Sequence, residues 1–203
     1  KLNDVHIGFT KESINKAVED YKKKGNRIDK KNIRTVSMDN ARLNDFFKYP
    51  GLKEYFIENG YKTEFGKKEF ILNPVAYNSV YKGALGEKAG CFIMKDAFGI
   101  ELVPTEDKEF ERFDFVDKAA GVYYDFKHWR GAVMTDEEGF GKAFEKMKEI
   151  NAKKAVIINI LPTDKDAVPI HKKQEDMSIW TIPQLIDENG RVPDEVLEII
   201  YGL

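Results

Sequence analysis

Cysteine and histidine are scarce in this chain of 203 residues, which has one cysteine, Cys91, and three histidines. A single cysteine excludes an internal disulfide and a multi-cysteine zinc site, and no histidine has a partner at zinc-binding spacing. One unpaired thiol fits a reducing compartment, so we expect a cytoplasmic protein. No apolar run approaches the roughly 18 residues of a membrane span, and no leader peptide is apparent, so we expect no membrane partner.

The chain also lacks an excess of charge, because 33 basic and 35 acidic residues give a formal net charge of −2. This balance excludes a polycation that coats nucleic acid with its whole surface. Basic residues nevertheless cluster near the N-terminus, where residues 22–34 include seven of them. Either a solvated helix end or a phosphate-binding surface would explain that cluster.

The first 72 residues have the pattern of a helical region. Apolar residues at helical spacing follow Thr10, a candidate cap, and this helix is expected to run to about Lys24. Further helices are expected over residues 40–47 and from Pro50, which suits a first helical turn, to Gly60. Because no reactive constellation occurs in these segments, we assign residues 1–72 to a helical N-terminal region.

A different pattern begins at residue 73. A helix is expected over 75–95, followed by strands over 100–104, 110–117 and 122–129. A capping box of Thr135 and Glu138 then opens a helix, strands follow over 155–161 and 178–186, and a last helix begins at Pro193. The inner face of the capped helix is expected to carry Phe140, Ala143, Phe144 and Met147. A helix between the third and fourth strands requires a parallel crossover, so residues 73–203 should form an α/β core with a mixed sheet covered on both faces.

The second and third of these strands flank the sequence Lys118-Ala-Ala-Gly121, which has the composition of a tight hairpin turn. If Lys118 pairs with Gly121, Asp114 lies directly opposite Asp125. Paired residues share a face and side chains alternate along a strand. Asp114, Asp125 and Lys127 are therefore expected to project from the same side of the sheet.

Two carboxylates that face each other across a hairpin repel unless a positive charge neutralises them. A divalent cation provides that charge, and Mg²⁺ prefers one or two carboxylates together with water and phosphate oxygens. The simpler alternative is an exposed hairpin whose polar face meets water, with Asp125 and Lys127 as surface residues.

Glu87 adds a third carboxylate to this reasoning. Its helical neighbours at three and four residues are all small, namely Gly83, Ala84, Gly90 and Cys91. Glycines inside a helix cost about 1 kcal/mol each relative to alanine, which suggests that the helix closely approaches the sheet. A carboxylate on such a face needs a partner or a metal. The alternative is that Glu87 sits at the edge of the face and reaches solvent.

A glutamate on a helix, an aspartate on one strand and Asp-x-Lys on the next resemble the PD-(D/E)xK nuclease superfamily. The core of that superfamily is a helix, three strands, a helix and a strand, which is the order expected from residue 75 to Leu161. The resemblance assigns Asp114 to the first acidic position and Asp125-Phe126-Lys127 to the second acid and the lysine. Phe113 stands where the motif has proline, and Asp fills a position that is often Glu. Residues 1–72 are not covered.

The resemblance implies a restriction-endonuclease-like fold and metal-dependent hydrolysis of phosphodiester bonds, most readily in DNA, by an endonuclease or an exonuclease. Asp114, Asp125 and the carbonyl of Phe126 would hold Mg²⁺ or Mn²⁺. Lys127 would position the attacking water, and Glu87 would complete a second metal site or hold a water.

Three further residues are candidates for contact with nucleic acid. Tyr123 should share the face of Asp125, although packing against Val116 would explain it equally well. Gln184 and either Lys153 or Lys154 are expected near the site.

Two other functions fit the same residues. The chain could be an RNase, perhaps the toxic C-terminal piece of a larger protein, because it begins at Lys1 rather than Met. Other domains of such a parent chain would then be its partners. It could instead be a non-catalytic nucleic-acid-binding module, although an intact acidic set argues against that reading.

Overall fold

The computed structural model describes residues 23, 43–61, 63–64, 82–127, 136–161 and 167–203. The chain divides into two compact units, one of residues 1–85 and 188–190 and the other of residues 86–187 and 191–203. Within the described residues, no helix is long and apolar enough to cross a membrane. The predicted helix from Thr10 to Lys24 lies outside the described residues except at Lys23, which is helical.

The first unit contains helix α1 (Leu52–Glu58), which buries Leu52 and Phe56. The ring of Phe56 packs edge-on against Phe47 at 5.5 Å and against Tyr61 at 5.4 Å between ring centroids. The prediction that Pro50 begins this helix was wrong. Gly51 precedes it with a φ of 84°, a left-handed conformation that glycine adopts without a steric penalty, so the helix begins at Leu52, two residues after Pro50.

The second unit contains the α/β core, and its elements in chain order are as follows: α2 (Lys82–Phe98, which begins in the first unit), β1 (Val103–Pro104), α3 (Asp107–Phe110), β2 (Phe115–Asp117), β3 (Val122–Lys127), α4 (Glu137–Glu149), β4 (Lys154–Asn159), β5 (Ile170–Gln174), β6 (Met177–Ile182) and α5 (Asp194–Tyr201). The six strands form one sheet in the order β1-β2-β3-β4-β6-β5. Strand β4 is parallel to β3 and to β6, whereas the other pairs are antiparallel. The predicted α/β class and mixed sheet are therefore confirmed.

Several predicted boundaries differ from the structure. The predicted strand over 110–117 begins only at Phe115, because α3 and a turn occupy residues 107–112. The predicted strand over 178–186 ends at Ile182, and strand β5 was not predicted at all. β5 has the sequence Ile-His-Lys-Lys-Gln at the edge of the sheet. An edge strand with so many polar residues gives little hydrophobic signal.

Helix α4 covers one face of the sheet. It buries Phe140, Ala143, Phe144 and Met147, which confirms the predicted inner face. These side chains form a core with Phe113, Ala152, Ala155, Met177 and Ile179. The cap of the helix is Asp136, whose Oδ1 accepts a hydrogen bond of 2.7 Å from the Gly139 N–H. The predicted capping box at Thr135, which lies outside the described residues, was therefore wrong about the cap.

Helix α2 approaches Phe126 closely. A Cβ atom added to Gly90 would lie 2.4 Å from the Phe126 ring, so only glycine permits this approach. The inference that glycines in this helix mark close packing is confirmed at Gly90. The ring of Phe126 also packs against Phe115 at 5.8 Å and against Tyr124 at 6.3 Å between ring centroids. The hairpin of β2 and β3 therefore shares an aromatic core with α2.

Candidate functional site

The hairpin of β2 and β3 has the predicted register. Phe115 pairs with Tyr124 and Asp117 pairs with Val122, and continuing this pairing by one residue sets Asp114 opposite Asp125. The Asp114 N–H donates a hydrogen bond of 2.8 Å to Oδ1 of Asp125. The two aspartates therefore meet at the open end of the hairpin.

Asp117 has a different role at the closed end. Its Oδ1 accepts hydrogen bonds from the N–H groups of Ala119 at 3.1 Å and Ala120 at 3.4 Å. Gly121 completes the turn with a φ of 68°, a conformation that glycine adopts readily. Asp117 thus stabilises the turn, which explains its burial without any part in the acidic cluster.

The chain bends at Asp114. Its neighbours Phe113 and Phe115 would share a face in a regular strand, but Phe113 packs against Tyr123 at 6.0 Å and Phe115 against Phe126. Tyr123 and Phe126 belong to opposite faces of β3. Thr105 anchors the bend, since its N–H donates to the Asp114 carbonyl at 3.0 Å and its hydroxyl donates to the Phe113 carbonyl.

Glu87 reaches Asp114 from helix α2. The two carboxyl groups lie close enough to share a hydrogen bond when one of them carries a proton. Burial and the charge and hydrogen bond of Asp114 raise the pKa of Glu87 to about 7. Glu87 is half-buried.

The charge of Asp125 is also unfavourable in this environment. Burial, followed by repulsion from Asp114, raises the pKa of Asp125 to about 6, although Lys127 and Lys146 act in the opposite direction. Lys127 Nζ lies 4.0 Å from Asp125 Oδ2. Glu87, Asp114, Asp125 and Lys127 are therefore brought together, and we call the three carboxyl groups the acidic cluster.

The acidic cluster contains oxygen donors suited to a hard cation such as Mg²⁺. The Ile160 N–H donates to the Lys127 carbonyl at 3.0 Å, so alternation along β3 directs the Phe126 carbonyl to the other side, toward β2 and Asp114. Within the described residues, no three His, Cys, Asp or Glu side chains stand in an arrangement that could hold a metal ion. The donor chemistry fits a site built from two carboxylates, the Phe126 carbonyl and water, which needs fewer side chains.

The residues expected to contact nucleic acid lie in three different settings. Tyr123 pairs directly with Val116 and joins the core under α4. Lys153 lies just before β4, at the end of the sheet opposite to Lys127, and forms an ion pair with Asp176 at 2.7 Å. Gln184 follows β6 at the same edge as Lys127 and is half-buried. Of the three, only Gln184 lies at the edge where the acidic cluster opens.

Sequence reasoning missed two buried polar residues on the face of Asp125. Asn159 lies beside Lys127 in the parallel register, and Thr181 aligns with Asp125 across Ile157. Asn159 is 0% exposed and Thr181 2% exposed. A signal was present, because a polar residue interrupts the apolar run Ala155–Leu161 at Asn159.

Cys91 lies one helical turn after Glu87. Burial and the charge of Glu87 raise the pKa of its thiol to about 12. The thiol is therefore protonated at neutral pH and unsuited to act as a nucleophile.

A groove of about 650 Å³ lies along β1, lined by residues 103–109 together with Val116 and Lys118. None of the acidic cluster lines it, so the groove and the cluster are separate features.

The sequence matches no protein-family model. No curated protein matches it either. The site is therefore interpreted from its own geometry.

Proposed function

We propose that this chain is a divalent-metal-dependent nuclease that hydrolyses phosphodiester bonds, with DNA as the substrate and Mg²⁺ or Mn²⁺ as the cofactor. The proposal rests on one observation, the meeting of Asp114 and Asp125 across the hairpin, with Glu87 close to the first and Lys127 beside the second. Carboxylates that repel one another are stabilised by a cation placed between them.

The order of elements supports the same proposal. From α2 to β4 the described elements follow the helix, three strands, helix and strand of the PD-(D/E)xK nucleases, with the short α3 as an addition. Two of the acidic residues lie on the kinds of element that the resemblance implies, Glu87 on α2 and Asp125 on β3, whereas Asp114 lies at the bend immediately before β2 rather than on the strand. We therefore propose a restriction-endonuclease-like core in the second unit.

Each residue has a proposed part in the reaction. Asp114, Asp125 and the Phe126 carbonyl would hold the cation, which supplies Lewis-acid stabilisation of the phosphate oxygens. Lys127 would orient a water whose oxygen forms the new bond to phosphorus, while the bond from phosphorus to the leaving oxygen breaks. Glu87 would hold Asp114 in place through their hydrogen bond, and Gln184 would contact the substrate strand.

Cleavage assays test the proposal directly. The chain is incubated with plasmid, linear duplex, single-stranded DNA and RNA in Mg²⁺, Mn²⁺ or EDTA. We expect cutting that requires a metal and is abolished in Asp125→Asn. The matched control is Asp176→Asn, because Asp176 is exposed and pairs with Lys153 away from the cluster, so this variant should cut as fast as wild type.

The outcomes distinguish the candidate functions. Cutting of RNA alone would replace the DNA assignment with an RNase. If wild type cuts no substrate with any metal, or if Asp125→Asn cuts as fast as wild type, this site is not a nuclease centre.

A further inference from the structure

Helix α4 carries charged residues on both flanks of its buried face, and the two flanks face different parts of the sheet. On one flank, Lys148 forms an ion pair with Glu175 at 3.3 Å and Glu137 with Lys172 at 2.8 Å. Lys172 belongs to β5 and Glu175 to the turn after it. This flank therefore faces the β5 edge, and the opposite flank faces β2 and β3.

Lys146 and Glu149 lie toward that opposite side, three residues apart on the helix. Glu149 forms an ion pair with Arg112, which lies two residues before Asp114. Lys146 thus lies one helical turn before the residue that pairs with Arg112. Its positive charge is near enough to stabilise the charged form of Asp125.

The cations around Lys146 are engaged by acidic side chains. Lys142 pairs with Glu138 at 2.9 Å, Lys148 pairs with Glu175, and Arg112 pairs with Glu149. Lys146 is exposed, and within the part of the chain that the structure describes it has no ion-pair partner. An exposed ammonium group beside a cluster of carboxyl groups is available to an incoming anion.

We propose that Lys146 binds a backbone phosphate of the nucleic-acid strand next to the scissile phosphate. This inference rests on the proposed nuclease function and assigns a substrate contact to that same site. A polyanion that approaches three carboxyl groups is repelled by them, and a neighbouring cation offsets this repulsion. An ammonium that binds a phosphate acts as a point charge, so the contact carries no base specificity.

The test measures binding without cleavage, in the Asp125→Asn background of the full chain. Lys146→Ala is compared with Lys142→Ala, a matched control on the same helix whose lysine already has an acidic partner. A fluorescent duplex DNA of two unrelated sequences is titrated over a range of salt concentrations. We expect Lys146→Ala to weaken binding several-fold for both sequences and to reduce the slope of log K against log salt by about 1. Lys142→Ala should leave the slope unchanged.

The proposal is overturned if the two lysine variants have the same affinity and slope, or if the Asp125→Asn protein does not bind DNA at low salt. Failure of the nuclease function is a different result, namely wild type that cuts nothing. In the wild-type background, Lys146→Ala should raise KM with little change in kcat, because a phosphate contact away from the scissile bond contributes to ground state and transition state alike. A fall in kcat with KM unchanged would contradict the proposed role.

Discussion

Asp125 places a carboxylate in a setting that opposes its charge. Burial and repulsion from Asp114 raise its pKa to about 6. Between the ordinary and the raised pKa, the Asp125 carboxyl group is therefore protonated in the folded state and ionised in the unfolded state. For such a group, stability falls as pH rises from the ordinary aspartate pKa of about 4 through the folded value. The stability of the metal-free protein should therefore decline from pH 4 to pH 7, as far as the acidic cluster determines it.

The variant Asp125→Asn should be more stable than wild type at pH 8 without metal, by about 1–2 kcal/mol, because the amide cannot ionise. Its Oδ1 can still accept the hydrogen bond from Asp114. The gain should shrink toward pH 4, where the aspartate itself is neutral in the folded state. Chemical denaturation at both pH values measures this difference, and a variant less stable than wild type at pH 8 would contradict the repulsion argument.

A second prediction for a single residue concerns Lys127. Lys127→Ala should reduce kcat by about 10²-fold or more, since one positioned charge supplies several kcal/mol of transition-state stabilisation. Substrate affinity should change much less, because many phosphate contacts share the binding energy. Single-turnover cleavage and equilibrium binding separate the two effects. A loss confined to binding would remove Lys127 from the chemical step and give it a role like that proposed for Lys146.

At the scale of elements, two glycines in two helices provide a matched comparison. A Cβ atom at Gly90 would lie 2.4 Å from the Phe126 ring, whereas a Cβ atom at Gly141 would meet no atom within 4 Å. Gly90→Ala should therefore destabilise the fold by about 1–3 kcal/mol through overpacking. Gly141→Ala should stabilise it by up to about 1 kcal/mol, since alanine favours the helix.

Thermal and urea unfolding of both glycine variants measure these changes. Because α2 also carries Glu87, a displaced helix should reduce cleavage in Gly90→Ala by more than its loss of stability explains. The double variant Gly90→Ala with Phe126→Leu should recover part of the stability, because the smaller side chain relieves the clash. If Gly90→Ala is as stable as wild type, α2 does not pack against Phe126 in this way.

At the scale of the whole molecule, metal binding should appear as stability. A cation that binds only the folded state raises the free energy of unfolding, by about 2.7 kcal/mol at a concentration one hundred times its Kd. Mg²⁺ should therefore raise the Tm of wild type, and it should raise the Tm of Asp125→Asn much less. Ca²⁺, which also prefers oxygen ligands, serves as a comparison cation. An equal shift in wild type and variant would locate the bound metal elsewhere.

The register of the hairpin was predictable because it depends on local information. Four turn residues between two β-prone runs fix the pairing, and the pairing alone brings Asp114 opposite Asp125. The inner face of α4 and the buried strand β4 were predictable for a similar reason, since burial leaves a periodic or continuous apolar pattern in the sequence.

The bend at Asp114, the edge strand β5 and the setting of Lys146 were not predictable in this way. Strand β5 pairs with β6 through a short turn, but its polar sequence gives little hydrophobic signal. The bend depends on the hydrogen bonds of Thr105 with Phe113 and Asp114. The setting of Lys146 depends on the contact of α4 with Arg112, which is 37 residues from Glu149. No periodicity records such contacts. The sequence by itself determined that Asp114 lies opposite Asp125, because strand pairing across a tight turn is a local rule. Lys127 was part of that prediction, but only the tertiary structure decided that Lys146 of α4 also acts on Asp125, because charge acts through space and is independent of chain separation.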